Sequence, residues 1–308
     1  MSPKEKIYKI LHEARTVVSG EDIRAALGVS RVAVWKHIQG MIKSGISIES
    51  SPKGYLLRSD SDSLLPYEFG KRQDRVHYFT ELPSTMDKAI ELARGGCRAN
   101  TVVIAGSQQE GRGRMRRAWN SGEGGLYFSV VVRPDIPVNL AGIVNLAVAI
   151  DMTAVLRTRC RVAATVKWPN DILVDGKKIC GILSQMETEG DYVDYITIGV
   201  GLNVNNVPAK EIPNATSLKV VTGGSLARKE ILTAFLDRFE KRISAFDPGE
   251  VLDQWKAVNS TIGKAVHIVT INSTFSGEAV AIDSQGGLVL QKEDGKRQTV
   301  IYGDCFYK

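Results

Sequence analysis

The sequence predicts a multidomain α+β protein in which a winged helix-turn-helix is followed by a mixed α/β domain and then by a small β-barrel. Three short helical patterns, with a hairpin pattern after them, occupy the first part of the chain. Strand and helix patterns mix from about residue 67 to about residue 258, and the remaining residues form short apolar runs separated by turns. We therefore expect domains at residues 1–62, 66–258 and 259–308.

Capping signals mark the N-terminal helices. Ser19, with an acidic residue three positions later, has the pattern of an N-cap, and Gly28 provides a left-handed stop for the helix that follows. Ser30 is the expected N-cap of the third helix. The apolar side of that helix repeats every four residues, at Val34, Ile38 and Ile42. Two short helices separated by a tight glycine-containing turn predict a helix-turn-helix.

A wing and a DNA-reading face are predicted around the third helix. Residues 46–50 and 55–57 flank a Pro-Lys-Gly turn, which indicates a β-hairpin. Residues off the apolar stripe or on the wing could contact phosphates and base edges, namely Ser30, Arg31, Lys36, His37 and Lys53. Residues 1–62 carry ten basic and seven acidic side chains, so one copy would bind DNA weakly and two copies are expected. A three-helix packing module that binds no DNA is the alternative.

Downstream of the wing, residues 58–64 are polar and serine-rich, which predicts a linker. Strands are then predicted at residues 102–105, 126–132, 165–168 and 195–200, and helices at residues 140–158 and 227–244. Asp175 and Gly176 lie between apolar runs and indicate a hairpin. Strands of the small barrel are predicted at residues 266–269, 277–282, 288–290 and 299–301.

Composition limits the chemistry of the protein. A formal net charge of +6 permits a polyanionic partner without requiring one. The four cysteines are far apart and neither CxxC nor HExxH occurs, so no zinc or other metal site is expected. The N-terminus lacks an apolar signal-peptide core. The apolar run at residues 140–156 contains Asn145 and Asp151, which favours a buried helix over a membrane span. We expect a cytoplasmic protein.

Two basic clusters are candidates for phosphate binding. Residues 111–119, GRGRMRRAW, combine two glycines with four arginines, and such a loop could wrap an anion through arginine forks. A mobile basic loop or a nucleic-acid patch is the alternative. Lys167 lies at a strand end before a Trp-Pro-Asn-Asp turn, where it could stabilise negative charge that develops on a phosphate. An ordinary strand-end lysine is the alternative there.

Two smaller clusters complete the set. Gly199 and Gly201, at the end of an apolar strand, leave backbone amides open to a ligand, although glycines of a strand bulge would give the same pattern. Ser84 and Thr85 precede a helix, and Ser84 by itself has the pattern of an N-cap.

These four clusters, in this order, resemble the biotin protein ligase family. The elements that carry the resemblance are GRGR-x-x-R-x-W, KWPND, the KxxGIL of residues 178–183, and GxGxN. Residues 30–39, SRVAVWKHIQ, also resemble the recognition helix of the bifunctional type, which is both biotin ligase and biotin operon repressor. The resemblance covers essentially the whole chain.

The resemblance implies a fold, an activity and partners. The central domain would resemble class II aminoacyl-tRNA synthetases, and the C-terminal domain would be an SH3-like barrel. The family condenses biotin with ATP to biotinyl-5′-adenylate, releasing pyrophosphate, and a lysine of the biotin carboxyl carrier protein then attacks the adenylate. Mg²⁺ would accompany ATP. The bifunctional type would repress biotin synthesis genes on operator DNA, with the adenylate as co-repressor and a homodimer as the binding form.

The resemblance also assigns roles by position. Catalysis would depend on Lys167, which would bridge the biotin carboxylate and the α-phosphate, and on Arg114. The expected biotin contacts are Ser84, Thr85, Met86, Gln108, Arg112, Gly113, Arg114, Lys167, Gly199 and Gly201. The expected nucleotide contacts are Arg114, Arg117, Lys167 and Asn203.

Two positions depart from the family pattern. Met86 stands where the family has Asn, which removes a polar contact near biotin, and Arg116 stands where it has Gly, which removes a flexible hinge. Two other functions remain open: a transcription factor that senses biotin without ligase activity, and a lipoate ligase. Lys167 argues against the first, and the glycine-arginine loop with KWPND argues against the second.

Overall fold

The computed structural model describes residues 3–43, 46–58, 62–209, 212 and 214–307. The chain divides into two compact units, one of residues 1–76 with residues 227–229, and one of residues 77–226 with residues 230–308. The C-terminal strands thus belong to the same unit as the central sheet. The three-domain boundaries at 62/66 and 258/259 stay a prediction.

The first unit contains the expected helix-turn-helix and wing. Its helices are α1 (Pro3–Ala14), α2 (Gly20–Leu27) and α3 (Arg31–Lys43), and its hairpin pairs β1 (Ile48–Ser51) with β2 (Gly54–Leu57). The predicted caps are present: Ser19 Oγ accepts from the backbone of Asp22, Gly28 is left-handed with φ 68°, and Ser30 Oγ accepts from the backbone of Ala33. Local capping chemistry therefore sets the helix ends.

Two details of this unit differ from expectation. Ile42 is only half-buried, and Met41 is the fully buried residue after Ile38, because successive turns of 3.6 residues bring position i+3 closer to the stripe. The predicted linker is not uniformly solvent-exposed. Leu64 is buried, and the Asp62 carboxylate accepts the Arg228 backbone N–H at 2.6 Å. Residues 59–61 of that segment lie outside the described residues.

The second unit is built on a seven-stranded sheet with the strand order β3-β4-β5-β9-β8-β7-β6. Its strands are β3 (Val76–Leu82), β4 (Thr101–Gln108), β5 (Leu126–Val132), β6 (Ala164–Lys167), β7 (Asp171–Val174), β8 (Lys177–Glu189) and β9 (Tyr192–Leu202). The pairings of β4 with β5, β5 with β9, β9 with β8, β8 with β7 and β7 with β6 are antiparallel. Asp175 and Gly176, at φ 50° and 73°, form the predicted hairpin turn.

Helices pack on both faces of this sheet. The helices of the second unit are α4 (Thr85–Arg94), α5 (Ala141–Arg159), α6 (Leu218–Thr222), α7 (Arg228–Ser244, whose first two residues belong to the first unit) and α8 (Pro248–Val258). Val131 packs with α4, whereas Phe128 lies 5.5 Å from Phe235 of α7. Because side chains of a strand alternate between faces, α4 and α7 lie on opposite sides. Ser129, Gly199 and Gly201 share the α4 face by register.

The apolar helix α5 is part of this core. Together with the turn before it, this helix is long and apolar enough to cross a membrane by length and composition alone, with a mean hydropathy of 1.7. Twelve of its residues are buried inside the protein, including Asp151, which forms an ion pair with Arg242 at 2.8 Å. The expected burial of this helix is confirmed.

The C-terminal segment forms a five-stranded antiparallel sheet with the order β13-β12-β11-β10-β14. The strands are β10 (Ala265–Val269), β11 (Thr274–Ile282), β12 (Leu288–Gln291), β13 (Arg297–Val300) and β14 (Asp304–Tyr307). The first four were predicted and β14 was not. Trp168 attaches this sheet to the central one, since its backbone N–H donates to Thr261 Oγ1 and its indole N–H to Gly286 O.

Candidate active site

A cleft of about 280 Å³ lies on the α4 face of the central sheet. Its lining brings together expected biotin and phosphate contacts that lie up to 117 positions apart in the sequence. Those present are Ser84, Thr85, Met86, Gln108, Arg112, Gly113, Arg114, Arg117, Lys167, Gly199 and Gly201. One expected contact, Asn203, lines an adjoining cavity of about 230 Å³ instead. Ala118, Trp119 and Lys178 border both cavities.

One end of the cleft is a fixed polar network. Ser84 caps α4 by accepting the Met86 backbone N–H at 3.2 Å. Gln108 Oε1 accepts from the Thr85 backbone N–H at 2.7 Å and from Thr85 Oγ1 at 3.0 Å, and Gln108 Nε2 donates to Ser121 Oγ at 2.8 Å. These bonds hold the hydroxyl and amide groups in place before any ligand binds, so their geometry is preorganised.

Glycine is required on the floor of the cleft by close approach. A Cβ on Gly199 would lie 2.8 Å from Met86 Cγ and Sδ, and one on Gly201 would lie 2.3 Å from Trp119 Nε1. Because these two positions have no side chain, Met86 and Trp119 can pack directly against the backbone of the sheet. Met86, which stands where the family pattern has Asn, is 5% exposed and fills this space as an apolar side chain.

The glycine-arginine loop is a tight hairpin. The Gly113 N–H donates to Arg117 O and the Trp119 N–H donates to Gly111 O, both at 2.7 Å. At its tip Met115 has φ 50° and is exposed. The Arg112 guanidinium pairs with Asp87 on α4 at 2.7 Å. The side chain of Arg116, the second departure from the family pattern, lies outside the described part of the chain.

Two arginines of this loop face the charged end of the cleft. Arg114 Nη1 donates to Asn170 Oδ1 at 3.4 Å, and burial lowers the pKa of its guanidinium. Arg117 forms an ion pair with Asp304 of β14 and lies 5.8 Å from the centroid of the Phe306 ring. The long bond of Arg114 is weak by geometry, which leaves donors of this guanidinium available to an anion.

Lys167 is a cation of the cleft that has no counter-ion among the described residues. Its ammonium lies 4.6 Å from the ring centroid of Tyr307 and 5.9 Å from that of Phe306, and makes no hydrogen bond or ion pair with any described residue. Burial lowers its pKa. The neighbouring carboxylate of Asp171 pairs instead with Lys178 at 2.6 Å. An unpaired, half-buried ammonium in a cleft is suited to an anionic ligand.

Sequence reasoning missed several residues of this site. Lys178, Trp119 and the β14 residues Asp304, Cys305 and Phe306 all line the cleft. Lys178 lies in KxxGIL and Trp119 ends the arginine loop, so both belong to motifs that the sequence analysis identified, but neither was assigned a role there. The four-residue strand β14 carries no comparable motif, and its approach depends on the packing of two sheets.

Asn203 is engaged by the protein itself. Its Nδ2 donates to Thr216 O at 3.0 Å, and its Oδ1 accepts from Asn206 Nδ2 at 2.9 Å. The side chain is 5% exposed. In this structure it therefore shapes the second cavity by holding the chain around it.

In the first unit, the expected DNA contacts Arg31, Lys36 and Lys53 are exposed. Ser30 is exposed as well, although its hydroxyl is used as the N-cap of α3. His37 is half-buried beside the core stripe.

Comparison with known proteins finds family models along most of the chain. Residues 77–203 match the model of the biotin/lipoate A/B protein ligase family, residues 3–56 match an HTH domain, and residues 261–308 match the biotin protein ligase C terminal domain. The bifunctional ligase/repressor BirA of Bacillus subtilis is 37% identical over 310 residues, covering 95% of this chain and 94% of the relative. The chain belongs to the biotin protein ligase family.

Other relatives and a solved structure support the assignment. BirA of Escherichia coli is 28% identical over 284 residues, covering 89% of this chain and 88% of that protein. The biotin protein ligase from Aquifex aeolicus in complex with biotin and ATP superimposes with a TM-score of 0.65 at 26% identity, covering 76% of this chain and 98% of that one. This chain is therefore a biotin protein ligase that carries an HTH domain at its N-terminal end.

Proposed function

We propose that this ligase activates biotin as biotinyl-5′-adenylate and transfers it to one lysine of a biotin carboxyl carrier protein, and that the adenylate is also the co-repressor for operator binding. The observation that carries the proposal is the unpaired ammonium of Lys167 in the same cleft as Gly199, Gly201 and the arginine loop. Such a cleft offers an apolar floor to a ligand at one end and positive charge at the other.

Biotin fits the end of the cleft near α4. Its ring would lie over the backbone at Gly199 and beside Met86, with Ser84, Thr85 and Gln108 hydrogen-bonding its polar edge and Gly201 against its chain. The backbone of residues 112–114 would cover it. Because Met86 offers a thioether where an amide is usual, we expect one polar contact fewer and a compensating apolar contact.

The charged end fits the phosphates. A carboxylate oxygen of biotin attacks the α-phosphorus of ATP, the bond to the bridging oxygen breaks, and pyrophosphate leaves with its electron pair. The negative charge that grows on the α-phosphate oxygens is stabilised by Lys167 and Arg114, with Arg117 and Lys178 nearby. No general base is needed because the nucleophile is already ionised.

The transfer step uses the same charges. The neutral amine of a carrier lysine attacks the acyl carbon of the mixed anhydride, the bond to the phosphate oxygen breaks, and AMP leaves as an anion. The proton of the amine passes to solvent. Lys167 then stabilises the AMP phosphate as charge returns to it. The loop at residues 111–119 would shield the anhydride from water until the carrier lysine arrives.

Magnesium enters the proposal as an ion carried on the phosphates of ATP. The described residues contain no group of three or more His, Cys, Asp or Glu side chains that could hold a metal ion. In the cleft, Asp171 and Asp304 are paired with Lys178 and Arg117. These donors do not make a protein-held site, so no step is assigned to one.

The adenine would occupy the second cavity. Trp119 borders both cavities, and its buried indole N–H has no hydrogen-bond acceptor among the described residues. An unsatisfied buried donor costs free energy, which a ligand acceptor would recover. Asn203, at the far wall, would lie near the base.

The finer points of the fold belong to the same proposal. We assign the central domain a likeness to class II aminoacyl-tRNA synthetases and the C-terminal sheet an SH3-like barrel closure, and we keep the boundaries 1–62, 66–258 and 259–308. We also propose a cytoplasmic location. Ser30, Arg31, Lys36, His37 and Lys53 are the proposed DNA contacts, with Ser30 limited by its capping bond.

Dimerisation is proposed along β8. Its pairing with β7 ends where Asp171 meets Gly181, while its pairing with β9 continues to Glu189. Within the described chain, residues 183–189 thus have a strand on one side only. A second copy could add there across a two-fold axis, and the doubled phosphate contacts would strengthen operator binding.

The deciding experiment is ATP-dependent transfer of biotin by the purified chain to a carrier domain, with adenylate measured in the same reaction. We expect the wild-type chain to transfer biotin to the carrier domain, and we expect Lys167→Ala to lose this transfer. If adenylate forms and stays bound but no biotin reaches the carrier domain, the chain lacks the transfer step and acts as a sensor of biotin, not as a ligase. If lipoate is activated in preference to biotin, the substrate assignment is wrong.

A further inference from the structure

The solvent side of α3 carries two large apolar side chains. Val32 is 62% exposed and Trp35 is 53% exposed, while the opposite side of the same helix buries Val34, Ile38 and Met41. In a helix with a satisfied core face, exposed apolar residues of this size are left to bind something outside the unit.

The surroundings of these side chains indicate what that is. Residues three and four apart share one side of a helix, so Val32, Trp35, Lys36 and Gln39 form a single face. Arg31 at the start of the helix and Lys53 on the wing are exposed as well. No carboxylate occurs anywhere in α3. The apolar pair is thus framed by cations and an amide, which is complementary to a polyanion.

The major groove of DNA is the polyanionic surface that also offers apolar groups. Among the four base pairs, only those with thymine present a methyl group there, and apolar side chains recognise it by contact. Val32 and Trp35 lie in the first half of α3, which is the part of a recognition helix that meets base edges.

We propose that Val32 and Trp35 select thymine by packing against its 5-methyl group, and so act as specificity-determining residues of the repressor. The proposal rests on the proposed operator binding and adds the chemistry that is read. Lys36, on the same face, supplies phosphate contact and holds the register. Neither apolar residue was among the DNA contacts expected from the sequence, because polar side chains were favoured there.

The test begins with a DNA duplex selected from a random pool by the wild-type protein in the presence of biotin and ATP. Each thymine of that duplex is then replaced in turn by deoxyuridine, which pairs identically but lacks the methyl group. We expect replacement of at least one thymine in each half-site to weaken wild-type binding about fourfold, the loss typical of one buried methyl group.

Variants assign the effect to residues. In Val32→Ala or Trp35→Ala, the same deoxyuridine replacement should no longer change affinity. Lys36→Ala should weaken binding to every duplex alike and reduce its salt dependence. Val17→Ala, a change at an exposed apolar residue outside α3, is the matched control and should keep full thymine dependence. Unchanged helical circular dichroism and an unchanged thermal unfolding profile, together with unchanged biotin transfer, confirm that both units of each variant are folded.

The outcomes separate the two levels of the proposal. If no duplex is selected, operator binding itself fails and this inference falls with it. If a duplex is selected but no deoxyuridine weakens binding, or both variants keep the wild-type dependence, DNA binding stands and the thymine contact is wrong. If the variants change the oligomeric state while leaving DNA affinity alone, a second copy of the chain covers this face and the inference is overturned.

Discussion

Replacing Gly201 by alanine should impair use of ATP through Trp119. The new Cβ would lie 2.3 Å from Trp119 Nε1 and 2.6 Å from Cε2, where an ordinary van der Waals contact needs about 3.5 Å or more. The indole would have to withdraw by roughly 1 Å. It cannot do so freely, because its backbone N–H is bonded to Gly111 O at 2.7 Å and Lys178 lies 5.2 Å from its ring centroid.

The size of the effect follows from the cost of overpacking. Forcing one methyl group into a close-packed site costs about 1–3 kcal/mol, which corresponds to roughly 5- to 150-fold in an equilibrium or rate. Since Trp119 borders both cavities, the cost should fall on the nucleotide end of the cleft. We expect kcat/KM for ATP to fall by about 10- to 100-fold while the unfolding temperature changes little.

The assay is pyrophosphate release at varied ATP and at varied biotin. Gly224→Ala is the matched control, because that glycine is exposed, has nothing within 4 Å of an added Cβ, and needs no left-handed backbone. Gly199→Ala provides a contrast, since its Cβ would meet the flexible Met86 and should affect biotin more than ATP. The reasoning is refuted if Gly201→Ala matches Gly224→Ala within twofold for ATP, or if biotin use alone is impaired.

Three other changes test the charges. Lys167→Ala should slow adenylate formation by roughly 100-fold or more, as loss of a preorganised donor does. Because burial lowers the pKa of Lys167, the wild-type rate should fall at a pH below the one at which an exposed lysine loses its proton. The variant should not show this fall in rate. Arg114→Gly should let adenylate escape and label lysines of bystander proteins, measured by biotin blotting. Asp151→Asn should lower the free energy of unfolding in urea by about 3 kcal/mol, because it removes the buried carboxylate that pairs with the half-buried Arg242 guanidinium.

Each of these changes has a contrary result, and the changes at Lys167 and Asp151 also have a matched control. Lys177→Ala removes an exposed lysine and should leave adenylate formation unchanged; equal rates in Lys167→Ala would remove Lys167 from the mechanism. Carrier-only labelling by Arg114→Gly would show that the loop does not retain the adenylate. Asp253→Asn breaks an exposed pair and should cost less than about 1 kcal/mol; an equal loss at Asp151 would mean that burial adds nothing.

Features encoded within a few neighbouring residues could be predicted from the sequence. The caps at Ser19, Ser30 and Ser84 and the turn at Asp175 each depend on a hydrogen bond or a backbone angle available locally, and the structure confirms all of them. The glycines of GxGxN could also be predicted to lie at a close approach, because a glycine in the sequence directly shows that the position has no side chain. Four of the seven strands of the central sheet, β4, β5, β6 and β9, were predicted as strands, whereas β7 and β8 were indicated only by the hairpin turn at Asp175 and Gly176, and β3 was not predicted.

Pairing between distant segments could not be predicted. Sequence shows a lysine and an aspartate in KWPND, yet the Asp171 carboxylate pairs with Lys178, and this choice leaves Lys167 free. It depends on the register between β7 and β8, which sets Asp171 opposite Gly181. The contribution of β14 depends likewise on how the C-terminal sheet packs. Charge is additive along a sequence, but the pairing of charges is a property of the fold.

Coupling between adenylate and the proposed dimer would require no long pathway, because β8 would contribute both to the proposed adenylate site and to the proposed dimer interface. At one end of this strand Lys178 lies on the Trp119 ring, and a Cβ on Gly181 would be 2.9 Å from that ring. From residue 183 onward the same strand has a partner on one side only within the described chain. A ligand that fixes Trp119 therefore reduces the freedom of the strand that would pair across the two-fold axis, so the second copy would have less ordering to do. Linkage then requires the converse: dimer formation on operator DNA must tighten adenylate binding by the same factor. A carrier protein that consumes the adenylate would release the operator without contacting the DNA-binding unit at all.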